Sequence, residues 1–300
     1  MNLTDFVAHH TFELDGLTYL RPALTVNLYW STDDAGPLGG VASVLNRFWP
    51  LIQPHMSMYQ TTSMKKPKKL DSQARTLVAD IMAGAIEPGF GTLIIDDRKA
   101  AAAAAANGMI LTVAPYRGVG YVVIKVTPDF PADQFSNELF AGTNAMRYLN
   151  GFAGPGLVYN ELGELSTDAE QQLFALGMRY PGLDLQSHSN TSFVAQSGLK
   201  CVNWLTFVGD SLADGSGLKL IEGVKGDLQI RRQKYGWIIQ AGPAPCIGDV
   251  NRQNTCPVYA QAGRLLASVR ALSHPAFILD EKLPMGSRER TDLWLSRFDS

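Results

Sequence analysis

Residues 108–126 read GMILTVAPYRGVGYVVIKV, and they give the strongest indication of the fold. Two apolar runs, residues 108–115 and 120–126, stand on either side of a short segment at residues 116–119. Apolar runs of strand length joined by a few turn residues are typical of a β-hairpin. Because a hairpin joins antiparallel strands, this stretch argues against a doubly wound parallel sheet.

Further strands and helices are predicted on both sides of the hairpin. β-branched and aromatic runs indicate strands, and apolar residues at helical spacing indicate helices. The predicted strands are residues 20–30, 56–64, 93–95, 157–159 and 202–208. The predicted helices are residues 40–49 (stopped by Pro50), a helix capped by Asp71 or Ser72, the alanine run 100–106, residues 131–150, and a helix opened by a capping box of Thr167 and Glu170. The Gly-rich residues 151–156 are interpreted as a turn. Without regular βαβ alternation, the fold class is α+β, with mixed or antiparallel sheets and packed helices.

Two segments of the chain look alike. Residues 25–30 (TVNLYW) and 201–206 (CVNWLT) both begin a strand with Val-Asn. Each strand then leads through a turn rich in Gly and Asp towards another strand. Because six positions cannot establish a duplication, we expect a single domain over residues 1–300. Two similar, packed strand–helix–strand halves, at about residues 1–150 and 151–300, are the alternative.

Composition limits the classes of function. The chain has 300 residues, of which 46% are apolar, so it can bury a full core without a metal or a disulfide. A net charge of −2 gives no overall basic field, so we expect no direct nucleic-acid partner. The basic cluster at residues 65–69 is interpreted as a solvated loop. The first residues do not resemble a signal peptide and no apolar run is long enough to span a membrane, so we expect a cytoplasmic protein.

Cysteine and histidine spacing predicts no metal site or cofactor. Cys201 lies in an apolar run, where a buried inert thiol is expected. Cys246 and Cys256 flank a polar loop and could lie close together, but no CxxC motif accompanies them. The five histidines are scattered along the chain without ligand spacing. We therefore predict no metal, no cofactor and no catalytic residue.

The motif Gly209-Asp210-Ser211-Leu212 raises the alternative of a GDSL-type serine esterase. A serine nucleophile needs a base, a group that orients the base, and oxyanion donors. In that esterase family the motif stands near the start of the chain and a late Asp-x-x-His supplies the other two residues. Here the motif stands two thirds along the chain, and Ala271 precedes His274 by three residues. We therefore interpret Ser211 as a helix cap after a strand.

Acidic residues gather between residues 160 and 184. A solvated helix face is one interpretation of this cluster. The other is a surface that docks on a basic partner, where acidic side chains would speed encounter and occupy a phosphate-binding cleft. The candidate partner-binding residues are Glu161, Glu164, Asp168, Glu170 and Asp184.

A longer pattern in the last third of the chain resembles a known family. Its parts are YPGLD (residues 180–184), VNWLTFVGD (202–210), IQAGPAP (239–245), GDVNR (248–252) and RTDLWLSRFD (290–299). In this order and spacing they resemble the immunity proteins of bacterial type VI secretion systems (TsiV/TsiT-like). Within that family the likeness is to the immunity protein of a restriction-endonuclease-like nuclease effector.

The resemblance implies a protein that binds a cognate toxic effector in the cytoplasm and neutralises it, and so protects the producing cell and its kin. It also implies one immunity-type domain without enzymatic activity. Trp204 and Phe207 would then belong to the core, and Asp249 with Asn251 would hold a loop. Two alternative functions stay open, an esterase using Ser211 and a non-catalytic scaffold. A homodimer is a possible assembly.

Overall fold

Antiparallel strands form the centre of the molecule. The computed structural model describes residues 3–34, 38–85, 90–114, 118–161, 164–279 and 285–299. Its strands are β1 (Phe12–Leu14), β2 (Leu17–Ser31), β3 (Met58–Thr61), β4 (Lys68–Lys69), β5 (Thr92–Asp96), β6 (Gly108–Ala114), β7 (Val119–Val126), β8 (Asn150–Tyr159), β9 (Asp184–Leu185), β10 (Leu205–Gly209), β11 (Gly223–Lys225), β12 (Leu228–Gln233) and β13 (Gly236–Ala241). Its helices are α1 (Leu3–His9), α2 (Ala42–Ile52), α3 (Ser72–Met82), α4 (Ala132–Thr143), α5 (Ser166–Arg179), α6 (His188–Ser192), α7 (Asp210–Gly215), α8 (Pro257–Leu265) and α9 (Ser287–Leu295).

Within these ranges the strands form one sheet of 13 strands. Its order is β11-β12-β13-β10-β8-β2-β7-β6-β5-β3-β4, with β1 beside β2 and β9 beside β8. Only the short β8–β9 pair is parallel among the described pairs. The predicted hairpin is β6 and β7, paired so that Thr112 faces Tyr121. Part of its turn, residues 115–117, lies outside the described residues. The α+β class is confirmed.

The two halves of the chain have related strand orders. In the first half β2 pairs with β7, the last strand of that half, and in the second half β10 pairs with β13 in the same way. Both β2 and β10 also pair with β8, which lies between them. Strands from both halves of the chain therefore belong to one continuous sheet. A division into two packed halves stays a prediction.

Two cores cover the opposite faces of the sheet. The first core holds the buried side chains of α2, α3 and α4 together with those of α7 and α8. The second core holds those of α1, α5 and α9. Strand β7 shows why both cores form: Val122 and Ile124 join the first core, whereas Val123 joins the second, because side chains alternate along a strand. Trp204 and Phe207 are fully buried in the first core, as predicted.

The alanine run is not a helix. Residues 97–107 form an irregular loop in which Ala103, Ala104 and Ala105 are buried. The Asp97 carboxylate accepts hydrogen bonds from the backbone N–H groups of Ala106 and Asn107, and Ala104 donates its N–H to another segment of the chain. These tertiary partners satisfy the backbone groups, so the high helix propensity of alanine does not decide the local structure.

The Gly-rich turn predicted at residues 151–156 is also wrong. These residues belong to β8, a fully buried strand of ten residues. Glycine is needed because β2 and β10 approach closely on both sides. A Cβ atom on Gly151 would lie 2.5 Å from the carbonyl oxygen of Asn27.

Helix ends agree with the sequence in part. Asp71 caps α3, since its carboxylate accepts the N–H of Ala74 at 2.9 Å. Pro50 lies inside α2 and does not end it. The capping box at Thr167 is absent, because α5 begins after Leu165 without a side-chain cap. Helix starts are therefore decided by packing as much as by capping residues.

Candidate functional site

A polar cleft of about 440 Å³ opens on the face of the sheet that carries the second core. Strands β5, β6 and β7 form its floor. Its walls are the end of β3, the alanine loop at residues 97–107, and two segments at residues 159–161 and 186–189. The charged and strongly polar residues that line it are Asp96, Arg98, Lys125, Asn160, Glu161, Gln186 and His188.

One pair of charges in the cleft is matched. Arg98 Nε donates to Asp96 Oδ1 at 2.8 Å, and both side chains are buried. Asp96 ends β5, and the N–H of Arg98 also reaches Oδ1 at 3.3 Å. This pair anchors the start of the alanine loop to the sheet, so the loop can form a wall of the cleft.

Lys125 has no hydrogen-bonded partner in the cleft. It is 7% exposed, and no described residue forms a hydrogen bond or an ion pair with its ammonium group. Burial lowers the pKa of Lys125, and the negative charges of Asp96 and Glu161 oppose that shift. The residue stands near the end of β7, on the same face of the strand as Tyr121.

A second polar group forms the opposite wall. Gln186 Nε2 donates to Glu161 Oε1 at 3.0 Å and to the Tyr159 carbonyl at 3.1 Å. His188 Nε2 lies 3.7 Å from Glu161 Oε2. Burial lowers the pKa of His188; Glu161 opposes this shift and Lys125 adds to it. His188 is therefore neutral near pH 7.

The cleft offers groups that can bind a ligand. Its floor is apolar at Ile94 and Ile110, and a few polar groups converge from the walls, which is the usual composition of a binding pocket. Across the described ranges, no cluster of three or more His, Cys, Asp or Glu residues could hold a metal ion.

Comparison with known proteins identifies the family. The model of a family described as type VI immunity for VRR-NUC, named TsiV, matches residues 127–298, which is more than half of the chain. The chain belongs to the TsiV family. The family resemblance noted in the sequence is therefore confirmed.

The fold is also found in solved structures. The type VI secretion (T6SS) protein PA0821 of Pseudomonas aeruginosa is 17% identical and superposes with a TM-score of 0.77. The match covers 99% of this chain and 90% of that chain. No curated protein matches the chain. No helix in the described ranges is both long and apolar enough to cross a membrane.

The sequence motifs that indicated the TsiV family have structural roles. The VNWLTF segment leads into β10, and Trp204, directly before that strand, packs nearly parallel to Phe135 with a centroid distance of 6.3 Å. In the GDVNR segment, Asp249 Oδ1 accepts the N–H of Asn251 at 3.1 Å, which confirms the predicted loop tie. Asp249 also pairs with Arg179, at the end of α5, at 3.4 Å.

The five acidic candidates for partner binding differ in location and exposure. Glu161 lines the cleft, and Glu170 lines a smaller adjoining cavity of about 190 Å³. Glu164 is exposed and Asp168 is half-buried at the start of α5. Asp184 was expected on the surface, and that expectation is wrong. It is 3% exposed and holds the Lys200 ammonium at 2.7 Å, because β9 packs it against the second core.

Ser211 has no catalytic surroundings. It is exposed in the first turn of α7, whose N-cap position is occupied by Gly209, so the predicted cap role is also wrong. Asp210 pairs with Arg232 at 2.6 Å. Both ring nitrogens of His274 are used elsewhere: Nε2 contacts Thr191 Oγ1 at 3.1 Å, and Nδ1 contacts the Pro275 carbonyl at 2.8 Å. The GDSL letters therefore mark a strand-to-helix turn.

Sequence reasoning missed the cleft itself. A signal was present, because Lys125 is the only charged residue in the buried run VGYVVIKV. A charged residue in a strand that is buried on both faces is rare unless it has a partner or a function. Gln186 and His188 carried no comparable signal, since they stand in an irregular polar segment.

Proposed function

We propose that this TsiV-family protein binds a cognate VRR-NUC nuclease effector in the cytoplasm of the producing cell and neutralises it. The family match carries the proposal, because that family is described by immunity to VRR-NUC. The likeness to a T6SS protein of P. aeruginosa is at the level of fold and agrees with it. A role by binding, without catalysis, is supported by the surroundings of Ser211.

The proposed contact surface is the cleft together with its acidic rim. The rim is defined as Glu161, Glu164, Asp168 and Glu170, which lie at or near the start of α5. A nuclease must hold a phosphate backbone and therefore presents a basic surface. Carboxylates placed opposite such a surface speed encounter and compete with the nucleic acid.

The first experiment tests protection. The effector encoded beside this gene would be expressed in a sensitive strain with and without this protein, and the nuclease domain would be titrated by isothermal calorimetry. We expect survival only on co-expression, with a Kd at or below about 10 nM, which is the range of pre-organised complexes. Death of the co-expressing cells would overturn the proposed function.

The second experiment tests the acidic rim. The double variant Glu164→Lys/Asp168→Lys reverses two charges on the rim. Its matched control, Asp80→Lys/Asp133→Lys, makes the same change of net charge at exposed positions of α3 and α4, on the opposite face of the sheet. We expect the rim variant to slow association at least about ten-fold at low salt, while the control associates as the parent does. Equal association rates for the two variants would remove the rim from the contact surface.

A further inference from the structure

Lys125 is a mostly buried side chain that lines the cleft, and no described residue forms a hydrogen bond with its ammonium group. Of the two carboxylates that raise its pKa, Asp96 is paired with Arg98, and Glu161 accepts a hydrogen bond from the neutral Gln186 amide. Partial burial of an ammonium group without a hydrogen-bonded partner is unfavourable. A fold that keeps such a group in a cleft has a ready site for an incoming anion.

Two further polar atoms of the same cleft have no partner. Gln186 Oε1 and His188 Nδ1 are buried, and no described residue forms a hydrogen bond with either of them. The cleft volume of about 440 Å³ is large enough for a whole side chain and lies within the usual range for ligand pockets. The residues that carry these two atoms therefore line a space that another molecule can fill.

The charged residues around the cleft indicate which kind of molecule can bind in it. Lys65 and Lys66 are exposed and directly follow Met64, which lines the cleft, whereas Glu161 lines another part of the cleft wall. A protein surface that carries both signs of charge can match these residues at once.

We propose that Lys125 receives the carboxylate of an Asp or Glu side chain of the nuclease effector, which enters the cleft as the complex forms. This inference rests on the proposed function and specifies one contact within it. The carboxylate oxygens accept hydrogen bonds from the Lys125 ammonium. The apolar stem of the side chain lies against Ile94 and Ile110 on the floor.

The test compares Lys125→Met with Lys125→Arg in binding to the nuclease domain encoded beside the gene. Met has nearly the same shape without the charge, and Arg restores a charge. The matched control is Lys219→Met, at an exposed lysine outside the cleft. We expect Lys125→Met to weaken the Kd at least about 30-fold, Lys125→Arg to recover part of the loss, and Lys219→Met to bind as the parent does.

The outcomes separate this inference from the proposed function. If the parent protein fails to bind the nuclease domain, the proposed function itself fails. If the parent binds and Lys125→Met binds equally well, only the contact at Lys125 is excluded. A circular dichroism spectrum of each variant shows whether a loss of binding comes from loss of the fold.

A separate observation concerns Cys246 and Cys256, which flank the GDVNR loop. Their sulfur atoms are 2.8 Å apart, and both cysteines are free. Cys256 is buried at the start of α8, and Cys246 is half-buried. The loop is held at Cys246 by a hydrogen bond from its N–H to the Tyr259 hydroxyl at 3.0 Å.

The two thiols differ in acidity. The Cys256 thiol donates a hydrogen bond to the Cys246 sulfur, which lowers the pKa of Cys246 to about 7. The same hydrogen bond, together with burial, raises the pKa of Cys256. Cys246 is therefore the nucleophile of the pair near neutral pH, because the thiolate is the reactive form.

We also propose that this pair is a reversible disulfide site that reacts with a low-molecular-weight disulfide such as oxidised glutathione. The Cys246 thiolate attacks one sulfur of oxidised glutathione and releases one glutathione thiolate. Cys256 then loses its proton and attacks the Cys246 sulfur, which releases the second glutathione. In sum the two protein thiols lose two electrons and two protons, and oxidised glutathione is reduced to two molecules of glutathione.

The test is intact mass spectrometry after incubation of the full chain with oxidised glutathione. We expect the parent protein to lose two hydrogens and two alkylatable thiols, and its thermal unfolding midpoint to rise by several degrees because a short loop is closed. Cys256→Ser should keep a mixed disulfide with glutathione, since the resolving thiol is missing. Cys201→Ser should behave as the parent does.

Three reduced thiols in the parent after this treatment would overturn the proposal. So would an internal disulfide that forms in the Cys256→Ser variant.

Discussion

Two buried lysines lie on the same face of the sheet, and they differ in the partners of their ammonium groups. Lys200 donates to Asp184 Oδ1 at 2.7 Å and to the Leu185 carbonyl at 2.6 Å. Three aromatic rings surround it, those of Phe152, Phe277 and Trp294, at about 5 Å. Lys125 has no such partner among the described residues and faces a cleft.

Lys200 and Asp184 form a closed pair inside the fold, whereas Lys125 belongs to an open site, the cleft. Around Lys200 the chain supplies a counter-charge, a carbonyl and aromatic faces, so the cation is satisfied within the fold. Around Lys125 the carboxylates are engaged by other groups. The first lysine is part of what holds the C-terminal segment, and the second is available to another molecule.

The largest effect on stability is expected from breaking the ion pair between Asp184 and Lys200. Asp184→Asn leaves Lys200 charged and buried without a counter-charge, which should lower the free energy of unfolding by about 3–5 kcal/mol. Urea denaturation followed by circular dichroism measures this change. The double variant Asp184→Asn/Lys200→Met removes both charges and should recover most of the loss. If the double variant is no more stable than Asp184→Asn, the pair is not the source of the stability.

Acid should weaken the same region. Burial and the nearby charges of Lys200 and Arg288 lower the pKa of His274 from 6.5 to about 4. The unfolded chain therefore binds a proton at this residue at a higher pH than the folded chain does. Stability is complete above about pH 6.5 and falls towards pH 4, by about 3 kcal/mol for this residue.

His274→Gln should flatten this part of the stability profile. His55→Gln changes an exposed histidine and should leave the profile as it is. Urea denaturation at several pH values between 4 and 7 compares the two. Parallel profiles for the two variants would contradict the role of His274.

A substitution at Lys125, in the cleft, should change the free energy of unfolding in the opposite direction. Lys125→Met removes an unpaired buried cation from the free protein, so its free energy of unfolding should rise by about 1–2 kcal/mol. Lys200→Met, the same substitution in the closed pair, should destabilise the protein because it leaves Asp184 unpaired. Thermal or urea denaturation of the two variants sharpens the comparison. A loss of stability in both would show that Lys125 is satisfied in the free protein.

The smallest effect is expected at Ser211, outside both regions. Ser211→Ala removes an exposed hydroxyl and should change the free energy of unfolding by less than about 0.5 kcal/mol. Hydrolysis of short-chain esters should be the same background rate for parent and variant. A rate that disappears only in the variant would restore the esterase hypothesis.

Local patterns in the sequence were sufficient for the antiparallel sheet and the family. The hairpin of β6 and β7 follows from two apolar runs around a turn, and the Asp71 cap follows from side-chain chemistry. The alanine loop and the Gly-rich strand β8 were predicted wrongly. In both cases distant segments satisfied or crowded the backbone, and no local pattern reports such contacts.

The candidate site shows the same limit. Of the five acidic candidates, Glu161 lines the cleft and Glu170 lines the adjoining cavity, whereas Asp184 is paired inside the fold. A carboxylate on the surface and one in a buried ion pair look identical in a sequence. What distinguishes them is a lysine 16 residues away in the chain that folding brings to 2.7 Å.

The sequence by itself therefore determined the α+β class, the pairing of β6 with β7 and the TsiV family, because these depend on residue order and local periodicity. Only the tertiary structure decided which charges are matched. It placed Lys125 in a cleft built from strands and loops far apart in the chain, and it brought the Asp184 carboxylate into an ion pair with Lys200. Charge matching depends on distances between remote segments, and those distances exist only after the sheet has formed.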